Sequence, residues 1–132
     1  MADFEHARAL LRMSHKDFNA LTGMLDNALF ADEIFGFHVQ QAIEKGLKAW
    51  LCACGIAYPP IHDLARLLTL LEKTGADVEQ FWPLVQFTIF AVQARYEDGF
   101  ADLDEPLARA IEIDNVRALL AVVEKFIAQK KL

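Results

Sequence analysis

Apolar residues recur along most of the chain at steps of three and four positions, which is the spacing of one face of an α-helix. The pattern predicts five helical segments, at about residues 3–29, 32–54, 62–73, 79–96 and 114–130. Ser14 or Gly23 could interrupt the first segment, and Pro59-Pro60 separates the second from the third. Short connections favour antiparallel neighbours. The sequence therefore predicts an all-α protein, an up-and-down antiparallel bundle of four to five helices that forms a single domain over residues 1–132.

The fourth segment is apolar on nearly every side. Pro83 is acceptable in its first turn, and Phe87, Ile89 and Phe90 follow among other apolar residues. This pattern predicts a helix that is buried on most sides, forms the centre of the bundle and reaches a subunit interface. The apolar stretch is too short to span a bilayer, so no membrane segment is expected.

The second segment has a polar face and an apolar face. On a helical wheel, one arc of about 160° holds all of its central polar residues, namely His38, Gln40, Gln41, Glu44, Lys45 and Lys48. The apolar residues gather on the opposite side. Periodicity alone favours a solvated face that carries the pairs Gln41–Lys45 and Glu44–Lys48.

Composition and charge narrow the possible partners. The 20 Ala and 18 Leu outnumber the 19 Val, Ile and Thr taken together, which favours helix over strand. The 13 Lys and Arg against 19 Asp and Glu give a net charge of −6, which disfavours bulk nucleic-acid binding. Much of this charge comes from the acidic segment 97–105, which is expected to be an exposed loop. Because Lys45 and Lys48 lie nearly in line on one helix, a single small phosphate-bearing ligand remains compatible with the net charge.

The sequence carries no clear signal for a metal or a cofactor. Cys52 and Cys54 would point about 200° apart on a helix, so they are expected to pack rather than to chelate one ion. The acidic segment lacks the calcium-loop pattern, and a chain of this length needs no cofactor for stability. The first residues have no basic region followed by an apolar core, so a reduced, cytoplasmic protein is expected.

Three stretches resemble the HEPN domain family. They are Phe37-His38-Val39-Gln40-Gln41-Ala42-Ile43-Glu44-Lys45-Gly46-Leu47-Lys48-Ala49, Tyr58-Pro59-Pro60-Ile61-His62-Asp63-Leu64 and Ala94-Arg95-Tyr96. The resemblance covers nearly the whole chain. It implies a helical bundle that forms a homodimer. Many such proteins are encoded beside a minimal nucleotidyltransferase as a toxin–antitoxin-like pair, and others are metal-independent ribonucleases.

The resemblance also suggests where a ligand would bind. The candidate ligand-binding residues are His38, Gln41, Lys45, Lys48, His62, Arg95 and Tyr96. The first hypothesis is a non-enzymatic protein that binds a nucleotide or a nucleotidyltransferase partner through this face. The alternative is a ribonuclease that uses His38 or His62 together with Arg95. A third possibility is a scaffold that has no small-molecule ligand.

The ribonuclease branch of the family is recognised by an Arg followed, a few residues later, by a His near the last helix. No His follows Arg95, because all four His precede it. Arg8 and His15 have a similar separation but lie in the first helix, where the family does not place the motif. Two candidates also have structural explanations: His62-Asp63 could simply begin the third helix, and Tyr96 could anchor the core or an interface.

Overall fold

A computed structural model describes residues 2–91 and 107–131 of the chain. Within these residues there are five helices and no strand: α1 (Phe4–Thr22), α2 (Asp32–Ala53), α3 (Leu64–Glu72), a 3₁₀ helix (Glu79–Phe90) and α4 (Arg109–Lys131). The helices pack around one hydrophobic core. The prediction of an all-α helical bundle is confirmed. No helix within the described ranges combines the length and hydropathy that a membrane span requires.

The first helix is shorter than the sequence predicts. The carboxylate of Asp3 accepts a hydrogen bond from the His6 amide at 3.0 Å and caps the start of α1. Gly23 ends the helix, and its amide donates to the carbonyl of Ala20. The interruption at Gly23, which the sequence allowed, is confirmed, and the alternative of one continuous helix to residue 29 is wrong. Leu25 and Leu29, which lie in the last part of the predicted segment, are 56% and 73% exposed.

Helix α2 forms the centre of the bundle, since every other helix contacts it. Its predicted bounds are confirmed to within one residue. Gly55 follows the helix with a φ of 78°, a left-handed conformation that glycine adopts without strain. The prediction that the fourth segment is the central helix is wrong.

The fourth segment is a 3₁₀ helix in its described part. It buries every third residue, which matches the three residues per turn of this helix type; these residues are Phe81, Leu84, Phe87 and Phe90. Ile89 is 42% exposed, so the segment is buried along one side rather than on most sides. Residues 92–96 of the predicted segment lie outside the described residues.

The last two α-helices differ from prediction at their first residues. Asp63 caps α3 by accepting from the amides of Ala65 and Arg66 at 3.1 and 3.4 Å, so the helix begins at Leu64 rather than at His62. Helix α4 begins at Arg109, before the predicted residue 114, and runs to Lys131.

Candidate functional site

The polar face of α2 is partly buried rather than solvated. Gln40 is 0% exposed, Glu44 6% and Lys48 8%, although all three lie on the arc of polar positions. A side chain of α1 covers one flank of this face, and the connection before α3 covers the other. The interpretation of these three residues as a solvated surface is therefore wrong, because neighbouring elements pack over them.

Glu44 accepts hydrogen bonds from three directions. Its Oε1 accepts from Gln40 Nε2 at 2.7 Å and lies 2.8 Å from Nδ1 of His62. Its Oε2 accepts from Lys48 Nζ at 3.0 Å, which confirms the predicted Glu44–Lys48 pair. We call Gln40, Glu44, Lys48 and His62 the Glu44 cluster. A buried carboxylate is stable in the ionised form only with such partners.

The partners of Glu44 decide its ionisation. Burial alone would raise the pKa of the Glu44 carboxyl, but the hydrogen bonds from Gln40, His62 and Lys48, with the charge of Lys48, outweigh burial. The pKa of Glu44 is consequently lowered from 4.5. The cluster therefore holds an ion pair at neutral pH.

A second carboxylate organises the other flank of α2. Asp17 of α1 binds Nδ1 of His38 through Oδ1 at 2.9 Å and accepts from Nζ of Lys45 through Oδ2 at 2.7 Å. We call Asp17, His38 and Lys45 the Asp17 cluster. Lys45 thus pairs with α1 and Gln41 donates to Gln40 at 2.7 Å, so the predicted Gln41–Lys45 pair does not form.

The ring of Tyr58 lies next to the Glu44 cluster and also contacts His6. Nζ of Lys48 is 5.4 Å from the centroid of the Tyr58 ring, a cation–π distance. The hydroxyl of Tyr58 is 2.6 Å from Nε2 of His6, and the two rings stack at 5.9 Å. Burial, and then the nearby Cys52, raises the pKa of Tyr58. These contacts hold the N-terminal end of α1 against the segment that precedes α3.

The structure brings five of the seven predicted site residues to one face of α2. His38 and Lys45 belong to the Asp17 cluster, Lys48 and His62 belong to the Glu44 cluster, and Gln41 joins the latter through Gln40. Arg95 and Tyr96 lie outside the described residues, as does the acidic segment 97–105.

The organising carboxylates were missing from the predicted site. Glu44 lies on the same helical arc as the predicted residues, and that position was the available signal. Asp17 is 28 residues away from Lys45 in the sequence, and no local pattern links the two.

Cys52 and Cys54 form no disulfide. Both thiols are free, and burial raises the pKa of each. Cys52 is in the core, where its Sγ donates to the carbonyl of Asp3 at 3.2 Å. The part of the chain that the structure describes contains no group of three His, Cys, Asp or Glu placed to hold a metal ion.

Comparison with known proteins assigns the chain to a class. The family model of the HEPN domain matches residues 7–132, so the chain belongs to the HEPN domain family. No curated protein and no solved structure matches the chain. The resemblance carried by the α2 residues and by Tyr58 to Leu64 is thereby confirmed.

Proposed function

We propose that this HEPN protein is a binding module that takes a nucleotide, or a minimal nucleotidyltransferase partner, on the polar face of α2. The observation that carries the proposal is the placement of Lys45 and Lys48 less than one turn apart, each held by a different carboxylate. The residues involved are the predicted ones: His38, Gln41, Lys45, Lys48 and His62, with Arg95 and Tyr96 from the third family stretch.

The two lysines retain donors for a phosphate. An ammonium group has three N–H donors. Lys45 uses one on Asp17 and Lys48 uses one on Glu44. The side chain of Lys45 is 22% exposed and that of Lys48 is 10% exposed, so an incoming phosphate would reach Lys45 first. The carboxylates orient both ammonium groups, which reduces the entropy lost when a ligand binds.

Titration calorimetry with ATP and other nucleotides tests this site. K45A and K48A are each expected to weaken binding about tenfold, because each removes a charge-assisted hydrogen bond. K73A changes the net charge equally at an exposed position after α3 and serves as the matched control. If K45A and K48A both bind nucleotides as tightly as the wild type, the proposed nucleotide site on α2 is contradicted.

The proposed nucleotidyltransferase partner is supported by the membership of this chain in the HEPN family. We infer a homodimer in a toxin–antitoxin-like system with a minimal nucleotidyltransferase. Light scattering should give twice the chain mass of 14.9 kDa, and a strict monomer would contradict the dimer. Co-expression with a nucleotidyltransferase encoded by a neighbouring gene should yield a complex that survives gel filtration.

A metal-independent ribonuclease is the second candidate, and one observation favours it. The His62 side chain is 53% exposed while Glu44 binds its Nδ1, which is how a carboxylate orients a catalytic imidazole. Such a site would also need a cation such as Arg95 beside the scissile phosphate. If the binding module is the correct function, RNA incubated with the protein in EDTA stays intact. Cleavage that H62A abolishes would instead support the ribonuclease.

A further inference from the structure

A separate cavity lies where α1 packs against α4. Its volume is about 370 Å³, within the range of small-molecule pockets. It is lined by Arg8, Leu11, Arg12, His15, Glu124, Ile127 and Ala128. No residue of the Glu44 cluster or of the Asp17 cluster lines it.

Three of the lining residues can bind an anion. Arg8, Arg12 and His15 follow one another at steps of four and three residues, so they share one face of α1. Nη1 of Arg8 is buried and has no hydrogen-bond partner among the described residues. A buried guanidinium nitrogen without a partner costs free energy, and a rotation of the Arg8 side chain toward an anion in the cavity would remove that cost.

The apolar residues that line the cavity limit what kind of anion fits. Leu11 is 8% exposed and Ile127 is 4% exposed, and together with Ala128 they give the cavity an apolar wall. An inorganic ion would leave this wall uncovered. A ligand with a charged head and an apolar body would contact both sides.

The one acidic residue that lines the cavity is Glu124. In the part of the chain that the structure describes, no ion pair within 4.0 Å joins Glu124 to either arginine. Its carboxylate therefore makes no direct ion pair with the guanidinium groups. It would, however, repel an anion at the rim.

We propose that the cavity between α1 and α4 is a binding site for a phosphate monoester with an apolar group, independent of the polar face of α2. Arg8 and Arg12 bind the phosphate through their planar pairs of N–H donors, and His15 adds a third donor. The apolar group lies against Leu11 and Ile127. Two guanidinium groups and an imidazole offer more N–H donors than the two oxygens of a carboxylate accept in a simple pairing. This excess of donors favours a phosphate over a carboxylate as the bound group.

Titration calorimetry with phenyl phosphate as the probe tests the site, with inorganic phosphate, benzoate and phenol as comparison compounds. Phenyl phosphate should bind about tenfold more tightly than either inorganic phosphate or benzoate, because only phenyl phosphate satisfies both walls. Phenol should bind more weakly still. Phenol binding as tightly as phenyl phosphate would overturn the anion site, and benzoate binding more tightly would overturn the phosphate assignment.

Variants separate this site from general charge effects. R8A should weaken phenyl phosphate binding about tenfold or more, and R8K should restore only part of it because Lys lacks the planar fork. R66A removes an equal charge at an exposed position of α3 and should change nothing. E124Q should strengthen binding a few fold by removing the repulsion. Equal binding by R8A and the wild type, in protein shown to be folded by circular dichroism, would overturn the proposal.

The same series distinguishes this site from the polar face of α2. R8A should lose phenyl phosphate binding but bind ATP to the same extent as the wild type, because Arg8 is not part of the polar face of α2. A loss of phenyl phosphate binding in K45A but not in R8A would place the ligand on α2 and overturn the second site.

Discussion

Glu44 is a residue whose charge matters to the folded state as well as to the site. Its carboxylate is buried, and its pKa is held below 4.5 by hydrogen bonds that outweigh the effect of burial. A carboxyl whose pKa is lower in the folded than in the unfolded chain stabilises the fold above the unfolded pKa. That stabilisation is lost as the pH falls through the folded pKa. The free energy of unfolding should therefore fall below about pH 4.5.

The variant E44Q isolates this contribution. At pH 7 it should lower the free energy of unfolding by about 1.5–3 kcal/mol, since it replaces a charge-assisted acceptor by a neutral amide beside Lys48. The difference from the wild type should shrink as the pH falls from 5 to 3, because the protonated Glu44 loses the same charge. Urea unfolding at several pH values measures both effects. A difference that stays constant down to pH 3 would show that the charge of Glu44 is not what stabilises the fold.

Glu112 is the natural control for that experiment, because its shift has the opposite sign. Burial raises the pKa of Glu112 above 4.5, and the hydrogen bond from Asn115 only partly opposes it. Its stabilising contribution is present below the unfolded pKa and is lost as the pH rises through the folded value. E112Q should therefore leave the protein as stable as the wild type or slightly more stable at pH 7, whereas E44Q destabilises it.

Gly36 of α2 packs directly against the ring of Phe90 in the 3₁₀ helix. A Cβ atom built on Gly36 would lie 2.5–2.6 Å from three ring atoms of Phe90, which is itself only 2% exposed. Glycine is required here because a larger side chain has no room, although glycine has a lower helix propensity than alanine.

The substitution G36A should lower the free energy of unfolding by about 1–2 kcal/mol, because the overpacking exceeds the gain in helix propensity. Urea unfolding measures the loss. F90L makes room for the added methyl group, so in the F90L background G36A should be neutral or stabilising. An equal loss in both backgrounds would mean that the contact with the Phe90 ring is not the cause.

At the scale of elements, Arg109 joins the first turn of α4 to the connection between α1 and α2. Its Nη1 donates to the carbonyl of Met24 at 2.7 Å. Its Nη2 donates to the carbonyl of Phe30 at 2.7 Å and to Oδ1 of Asp32 at 2.9 Å. The guanidinium also lies 4.9 Å from the centroid of the Phe35 ring. One buried side chain therefore fixes the path of a connection that has few apolar anchors.

Replacing Arg109 should loosen that connection. R109A is expected to lower the free energy of unfolding by about 3–5 kcal/mol, because it leaves Asp32 unpaired and two carbonyls without their donor. R109K keeps the charge but not the planar fork, so its loss should be intermediate. Urea unfolding gives the magnitude, and hydrogen exchange of amides 24–31 should accelerate in both variants. Wild-type stability of R109K would show that charge alone suffices.

The elements also show what the hydrophobic pattern can and cannot predict. The bounds of α2 follow from the sequence, because its apolar positions keep the helical period and Gly55 ends it. The sequence offered Gly23 only as one possible end of α1, since apolar Leu25 and Leu29 continue a rough helical period beyond it. The buried residues 81, 84, 87 and 90 keep a step of three, whereas the sequence prediction treated the whole segment as α-helical.

For the whole molecule, the family and the fold class were predictable, whereas the connections within the polar face were not. Periodicity places Glu44 and Lys45 at angles on a helix, but it does not say which neighbour will cover them. His62 and Asp17 reach these residues from positions 18 and 28 residues away. Their contacts depend on how separate elements pack, and short-range patterns contain no information about that packing.

The buried thiol of Cys52 reports on opening of the whole bundle. Cys52 is 8% exposed and packs with α1 through the carbonyl of Asp3. Burial, and next the charge of Asp3, raises its pKa, so little reactive thiolate is present at neutral pH. In a C54S variant, Cys52 should react with Ellman's reagent at least about a hundredfold more slowly than free cysteine, because little of the thiol is exposed and little of it is ionised. Urea below the unfolding midpoint should accelerate the reaction, and Cys54 in a C52S variant should react faster because it is only half-buried. Labelling of Cys52 at the rate of free cysteine in native buffer would mean that α1 detaches without unfolding of the core.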